Sequence, residues 1–333
     1  MRFAMKNVLV FGSNIVDLFF QVPDFDFFTS SGEDALHFKR HQQAPGGKGA
    51  NQAVAAARAG AKVKFFGAVG NGSHSRYLLD NFKAHGIDTR GIIRTEERTG
   101  MAMIISTPEG KHKIFVSQGA NTLARADQVP DSALSSRTIL LLQAELDAAE
   151  NLKLMQRAKA AGAQIIMNVA PAKPQKAKTL ACVNYLIVNE AEAEALAKHM
   201  GLKAPNGQAA ARAMAQKFDF MCIVTLGEKG SAAFRPDGTE MRTPALAIKV
   251  KDTVGAGDAF AGAFAAALAN DLPTEIALRH AAVAGSLACR KYGAQTSLPI
   301  AGEIAAALPK LKNAAPEKRP TAKRWKRGHN PAL

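Results

Sequence analysis

The chain has 333 residues, 47% of them hydrophobic and 21% charged, enough apolar material for one large domain or two smaller ones and too much for disorder over most of its length. No apolar run approaches the roughly 18 residues a membrane helix needs, Val8 to Phe11 is too short for a signal-peptide core, and Cys182, Cys222 and Cys289 have neither metal-ligand nor disulfide-framework spacing, so membrane-spanning and disulfide-stapled secreted classes are excluded and a cytoplasmic location is expected. The formal charge of +15 would suit a polyanionic partner, but Lys310 to Leu333 hold eight Lys or Arg and one Glu, so nearly half the excess sits in a basic, flexible tail (310–333) appended to a domain of residues 1–309, and nucleic-acid binding is expected at most as a weak property of that tail.

In chain order, strands are expected at Val8 to Phe11, Val63 to Phe66, Thr138 to Leu142, Gln164 to Met167, Tyr185 to Val188 and Cys222 to Thr225, all short and rich in β-branched or aliphatic residues. Ala-rich helical stretches lie between most of them: Ala50 to Ala59, Tyr77 to His85, Ala148 to Ala161, Ala191 to His199 and Gln208 to Phe218. A hairpin follows at Ser231 to Phe234 and Glu240 to Thr243, then helices at Ala259 to Asn270 and Thr274 to Arg290. This alternation predicts an α/β fold, a parallel sheet covered by helices on both faces. Two segments depart from it. Phe19 to Phe38 holds six of the 17 Phe residues, and Met101 to Val116 reads as a hairpin turning at Thr107-Pro108-Glu109-Gly110. Segments 19–43 and 101–117 are therefore expected to pair as a small β-sheet lid whose Phe side chains need cover from the main domain or a second subunit; the other reading is that these Phe residues extend the main core.

Two glycine motifs carry the chemistry. Pro45-Gly46-Gly47-Lys48-Gly49-Ala50-Asn51-Gln52 opens a helix, where small residues let a ligand approach and Asn51 and the first-turn amides offer donors. It is not a Walker A loop, because Gln42 stands where that loop needs glycine and no Ser or Thr follows Lys48. Asp252-Thr253-Val254-Gly255-Ala256-Gly257-Asp258 opens the long apolar helix through Leu268. Gly255, Ala256 and Gly257 leave its amides open to a phosphate, which makes an anion hole. Asp258 is either an N-terminal cap or a proton acceptor beside the bound phosphate. Asn189-Glu190-Ala191-Glu192 reads either as a first turn complementing the helix dipole or as oxygen ligands for a magnesium ion that accompanies a nucleotide. Asp17, Glu145, Asn168 and Thr225-Leu226-Gly227 fall at the ends of strands, the edge where doubly wound sheets bind ligands. Scattered histidines and the lack of a Gly-x-Ser-x-Gly setting leave metal hydrolysis and serine acyl transfer without support.

The motifs GGKGANQAVAAARAGA and DTVGAGDAFAGAF, in that order, resemble the paired signatures of the ribokinase-like (PfkB) sugar kinases. GANTL around Asn121, NVAPA from Asn168, NEAEAE from Asn189 and TLGEKG from Thr225 extend the resemblance from about Val8 to Pro299. It implies a three-layer αβα sandwich with a small β lid, often used to form a homodimer, and transfer of the ATP γ-phosphate, with Mg2+, to a sugar hydroxymethyl group. The acceptor it implies first is the 5-hydroxyl of ribose; a nucleoside such as adenosine, fructose or 2-keto-3-deoxygluconate are the alternatives on this scaffold. A sugar-sensing or nucleic-acid-binding protein is the alternative outside enzymes, against which the intact anion hole with Asp258 argues.

By position in the motifs, the resemblance makes Asp258 the catalytic base and Gly255, Ala256 and Gly257 the anion hole. Gly47, Lys48, Asn51, Asp17 and Glu145 would hold the sugar, Asn189 and Glu192 the magnesium and phosphates, and Thr225, Gly227 and His280 would lie by the nucleotide. Asp252, Val254, Gly293 and Ser297 match the segment that binds an activating monovalent cation such as K+. Two departures stand out. The family reads Gly-Ser-x-Asn-x-Asp where this chain has Gly12-Ser13-Asn14-Ile15-Val16-Asp17, and Tyr292 is an insertion before Gly293. The first moves Asn by one residue, which reverses its side-chain direction in an extended segment.

Overall fold

The computed structural model describes residues 6–22, 24–25, 41–107 and 111–311. Residues 108–110 of the expected turn at 107–110, residues 23 and 26–40 in and after the Phe-rich stretch, and the tail beyond Leu311 lie outside the described residues.

The first half of the chain runs β1 (Asn7–Phe11), β2 (Ile15–Gln21), β3 (His41–Gly46), α1 (Lys48–Arg58), β4 (Lys62–Val69), α2 (Ser73–Ala84), β5 (Asp88–Arg94), β6 (Gly100–Ser106), β7 (His112–Ser117), β8 (Thr138–Gln143) and α3 (Ala148–Ala160). The second runs β9 (Gln164–Asn168), α4 (Ala177–Leu180), β10 (Tyr185–Asn189), α5 (Glu190–His199), α6 (Gly207–Phe218), β11 (Met221–Thr225), β12 (Ser231–Phe234), β13 (Glu240–Thr243), α7 (Ala256–Ala269), α8 (Thr274–Ala288) and α9 (Ala301–Ala307).

The main sheet has the order β13-β12-β11-β10-β9-β8-β1-β4-β5. It is parallel from β11 to β5, while β12 and β13 add antiparallel at one edge. Its central strands are continuous apolar runs because both faces are buried. Leu9, Phe11, Leu140, Leu142, Leu186 and Val188 point to a layer containing Leu154 of α3, Leu196 of α5 and Met214 of α6. Val8, Val10, Ile139, Leu141, Ile187 and Ile223 point the other way, to Val54 of α1, Phe264 of α7, Val283 of α8 and Ile304 of α9. Alternate side chains of each strand thus feed opposite cores, which is what a three-layer α/β sandwich requires.

A second, four-stranded sheet is ordered β3-β2-β6-β7. β2 pairs parallel to β6 and antiparallel to β3, and β6 turns back antiparallel into β7. β2 starts at Ile15, earlier than the Phe-rich pattern suggested, so the second sheet carries Asp17 in its register opposite Ala44 and Ala102.

Small residues set where the site forms. A Cβ at Gly262 would come within 2.6 Å of the Gln52 carbonyl oxygen and 2.8 Å of the Ala56 nitrogen, so α1 and α7 cross at a distance only glycine allows. That crossing brings the first turns of the two glycine-motif helices side by side.

Candidate active site

α1 begins after Gly47, whose φ of 87° is the left-handed conformation that glycine adopts without strain. Its first amides are closed by protein groups: Lys48 N–H donates to Glu145 Oε2 at 2.8 Å and Gly49 N–H to Ser13 Oγ at 3.2 Å. Ser13 Oγ in turn donates to Glu145 Oε2. Glu145 follows β8 and is held half-buried against the start of α1. Asp17 lies on the same side, with its carboxylate where a side chain at Gly46 would have to go. Gly46, Gly47, Lys48 and Glu145, with Asp17, therefore lie together at the start of α1.

α7 begins after Gly255, with φ of 78° and no side-chain cap. Ala256 and Gly257 line a cavity of about 740 Å³, and nothing lies within 4 Å of a Cβ built at Gly257. The bend is open, and the helix presents its positive end to the cavity. Asp258 is 7% exposed and does not cap its own helix. Its Oδ2 accepts from Asn51 Nδ2 at 3.0 Å and its Oδ1 from Gln52 Nε2 at 2.9 Å.

Three further carboxylates lie around Asp258. Burial, reinforced by the charges of Glu145 and Asp258, pushes the Asp17 carboxyl up to about 7. Burial also raises Glu192; the Asn189 N–H and the Lys48 ammonium pull it back, and Asp258 adds to the rise. Asp258 is thus felt both by Asp17 of β2 and by Glu192 of α5. One carboxylate links the two halves of the site.

The remaining expected residues fall as follows. Thr225 and Gly227 line the 740 Å³ cavity, together with Leu246, Ile248 and Phe260. His280 does not line it; α8 contributes Ala282, Gly285, Ser286 and Cys289 instead, a stripe at helical spacing from which His280 is turned by two residues. Asn189 and Glu192 form a capping box: Glu192 N–H donates to Asn189 Oδ1 and Asn189 N–H to Glu192 Oε2, each at 2.8 Å. Among the described residues no three His, Cys, Asp or Glu side chains gather into a metal site.

Asp252 ties two loops together, its Oδ1 accepting from Val254 N–H at 3.0 Å and its Oδ2 from Gly293 N–H at 2.9 Å. Ser297 is buried, donating to the Ala294 carbonyl at 2.8 Å, and Gly255 packs on the Ala294 backbone. The four residues expected around a monovalent cation therefore lie on two adjoining loops behind the α7 bend. Tyr292 is accommodated as an exposed side chain, 73% accessible, without breaking the Asp252 to Gly293 bond. Asn14 is 1% exposed; its backbone N–H and C=O are both bonded to the Asn121 side chain, and its own amide is buried without a hydrogen-bond partner.

Sequence reasoning missed Gln52, Gln143, Asn81 and Gln295, all of which connect to Asp258 through hydrogen bonds, and the 244–250 segment that forms a wall of the cavity. A signal existed for Gln52 and Gln143: Gln52 follows Asn51 in the first turn of α1, and Gln143 closes the apolar run of β8. Nothing local marks Asn81, Gln295 or 244–250.

Residues 5–301 match the pfkB family of carbohydrate kinases. The chain is 34% identical over 300 residues to a ribokinase of Haemophilus influenzae, covering 88% of this chain and 95% of that one. Among solved structures, a ribokinase of Thermotoga maritima superposes with a TM-score of 0.83 at 31% identity, covering 91% of this chain and 99% of the other. An Arabidopsis thaliana ribokinase complexed with ribose and ATP does so with a TM-score of 0.80 at 27% identity, covering 92% and 99%.

Proposed function

The chain belongs to the pfkB family of carbohydrate kinases and is an ATP-dependent sugar kinase; from that premise we propose that it phosphorylates the 5-hydroxyl of ribose, with Asp258 as the general base. The observation that carries this reading is the position of Asp258, buried in the first turn of α7 between Asp17 and Glu192, beside a bend that opens on a nucleotide-sized cavity.

In this reading ATP fills the cavity lined by Thr225, Gly227, Leu246, Ile248 and Phe260, and its terminal phosphate meets the amides at Gly255, Ala256 and Gly257. Phosphoryl transfer asks the protein mainly to position groups and neutralise charge, so these amides stabilise the transferring group as its charge redistributes. Asp17, Glu145, Lys48, Asn51 and the backbone at Gly47 orient the sugar. Asp258 accepts the proton of the hydroxymethyl group as its oxygen attacks phosphorus. Magnesium, held through water near Glu192 and Asn189, would neutralise phosphate charge. We assign the monovalent-cation segment to Asp252, Val254, Gly293 and Ser297.

The same proposal covers the unit's organisation: a cytoplasmic kinase domain with lid segments about 19–43 and 101–117, its end moved from residue 309 to Leu311 because Lys310 closes a 3-10 turn and Leu311 is buried in the core, and the tail after it. The second sheet would serve as lid and as the homodimer contact, since Ile114, Phe115 and Val116 on edge strand β7 are each more than half exposed. A coupled ATP-turnover screen over ribose, fructose, 2-keto-3-deoxygluconate and adenosine tests the acceptor. Ribose is expected to be turned over with the highest kcat/KM; turnover of adenosine without ribose would overturn the proposal.

A further inference from the structure

A carboxylate only accepts hydrogen bonds, and this fixes the direction of every amide around Asp258. Gln52 and Asn51 must present their NH2 groups to it. Their carbonyl oxygens then face outward, and each is met by the NH2 of another amide: Gln143 Nε2 donates to Gln52 Oε1 at 2.8 Å, and Gln295 Nε2 donates to Asn51 Oδ1 at 3.0 Å. The second chain continues, with Asn81 Nδ2 donating to Gln295 Oε1 at 2.8 Å. Two files of side-chain amides thus run head to tail, every donor pointing toward Asp258. One is rooted in β8, the other in α2 and the loop after α8. Gln52 Nε2 also donates to Asn168 Oδ1 at 2.8 Å, which uses its second hydrogen. Gln52, Gln143, Asn51 and Gln295 are all at least 93% buried, where aligned amide dipoles polarise one another and are weakly screened.

We propose that these two files are a positioning device for the proposed base: Gln143 and Gln295, which do not touch Asp258, hold Gln52 and Asn51 in the one orientation that fixes the Asp258 carboxylate as a proton acceptor. The inference rests on the reading of Asp258 as general base. Asp258 stands among other carboxylates. Asp17 on β2 and Glu192 on α5 face Asp258, Glu145 after β8 stands behind Asp17, and the Lys48 ammonium is the cation acting on Glu192. Donors delivered by neutral amides supply the compensation without adding a charge beside the phosphate. Among the described residues Gln143 Oε1 has no hydrogen-bond partner, so this residue contributes its donor end at the expense of its acceptor end, which a residue selected for packing alone would not require.

The test uses Gln143→Met and Gln295→Met, singly and combined, in the full-length chain. Each removes a donor at similar volume, adds no charge and leaves Asp258 untouched. The readouts are the pH profile of kcat and the KM for ATP. The acid limb is expected to move to higher pH in each variant and by about one unit in the pair, because Gln52 and Asn51, no longer held from behind, keep their donors less firmly on the ionised form. The KM for ATP is expected to stay within about twofold. An acid limb at the wild-type pH in the folded single variants, whether or not kcat falls uniformly, would overturn the inference; if the pair does not fold, the single variants carry the same two outcomes. Asp258→Asn separates this from the underlying reading: should that variant retain turnover, the assignment of the base fails rather than the role of the amides.

Discussion

The starts of α1 and α7 are built alike and used differently. Both follow a glycine at positive φ, Gly47 at 87° and Gly255 at 78°, and neither is capped by the side chain of its cap residue. At α1 the protein fills the vacant donors itself, with Glu145 on the Lys48 N–H and Ser13 on the Gly49 N–H. At α7 the Ala256 N–H reaches only the Thr253 carbonyl, at 3.2 Å, and Ala256 and Gly257 face the cavity. Asp258, which could have capped α7, turns instead to Asn51 and Gln52 of the neighbouring helix. A helix start closed by a carboxylate fixes that carboxylate for a neutral, hydroxyl-bearing ligand, whereas one left open receives an anion. In the proposed reading the same local sequence pattern makes a sugar-side and a phosphate-side wall.

The contrast can be broken most severely at Asp258. Asp258→Ala is expected to lower kcat at least about a hundredfold, the loss expected from removing a general base, with ATP binding by calorimetry largely intact. Near-normal turnover would show that the proton goes elsewhere. Gly257→Val closes the open start. Because nothing surrounds that position, the melting temperature should hold while the KM for ATP rises about tenfold or more; an unchanged KM would place the phosphates away from this turn.

The closed start is tested by Glu145→Ala. Loss of the acceptor for Lys48 N–H should cost about 1 kcal/mol of stability, in the range of a lost helix cap, and raise the KM for sugar while leaving that for ATP alone. A change in the ATP KM of equal size would mean the two walls are not separate.

The smallest expected effect is a pH dependence from Asp17. Its carboxyl sits at about 7 in the folded protein against an ordinary 3.8. Between those values the folded state binds the proton more tightly than the unfolded chain, so wild-type stability falls as pH rises from about 4 to about 7 and levels off above that. Asp17→Asn should therefore melt a few degrees higher than wild type at pH 8, with the difference closing toward pH 4; a difference independent of pH would exclude Asp17 as its source.

Much of this arrangement was legible in the sequence, for physical reasons. Strands such as Thr138–Gln143 are buried on both faces and spell themselves as apolar runs, and the hairpin strands Ser231–Phe234 and Glu240–Thr243 lie where expected. β5, with Asp88, Arg90 and Arg94 among its residues, and β3, His-Gln-Gln-Ala-Pro-Gly, gave no such pattern, because an edge or half-exposed strand is fixed by its neighbours rather than by its own composition. Within the candidate site the glycines were readable because a left-handed turn needs them. The amides were not. Gln295 lies 244 positions from Asn51 along the chain, and no local rule connects two such residues. His280 is expected by the nucleotide only through the family resemblance; helical phase decides which side chain faces a cavity, and that phase gives the place to Ala282.

The most direct measurement is a crystal structure with ribose and a non-hydrolysable ATP analogue bound together. The account predicts the terminal phosphate within hydrogen-bond distance of the backbone N–H groups at Ala256 and Gly257, with the sugar hydroxymethyl oxygen between it and the Asp258 carboxylate. A terminal phosphate lodged instead at Lys48 and Gly49, or a hydroxymethyl group turned away from Asp258, would contradict it.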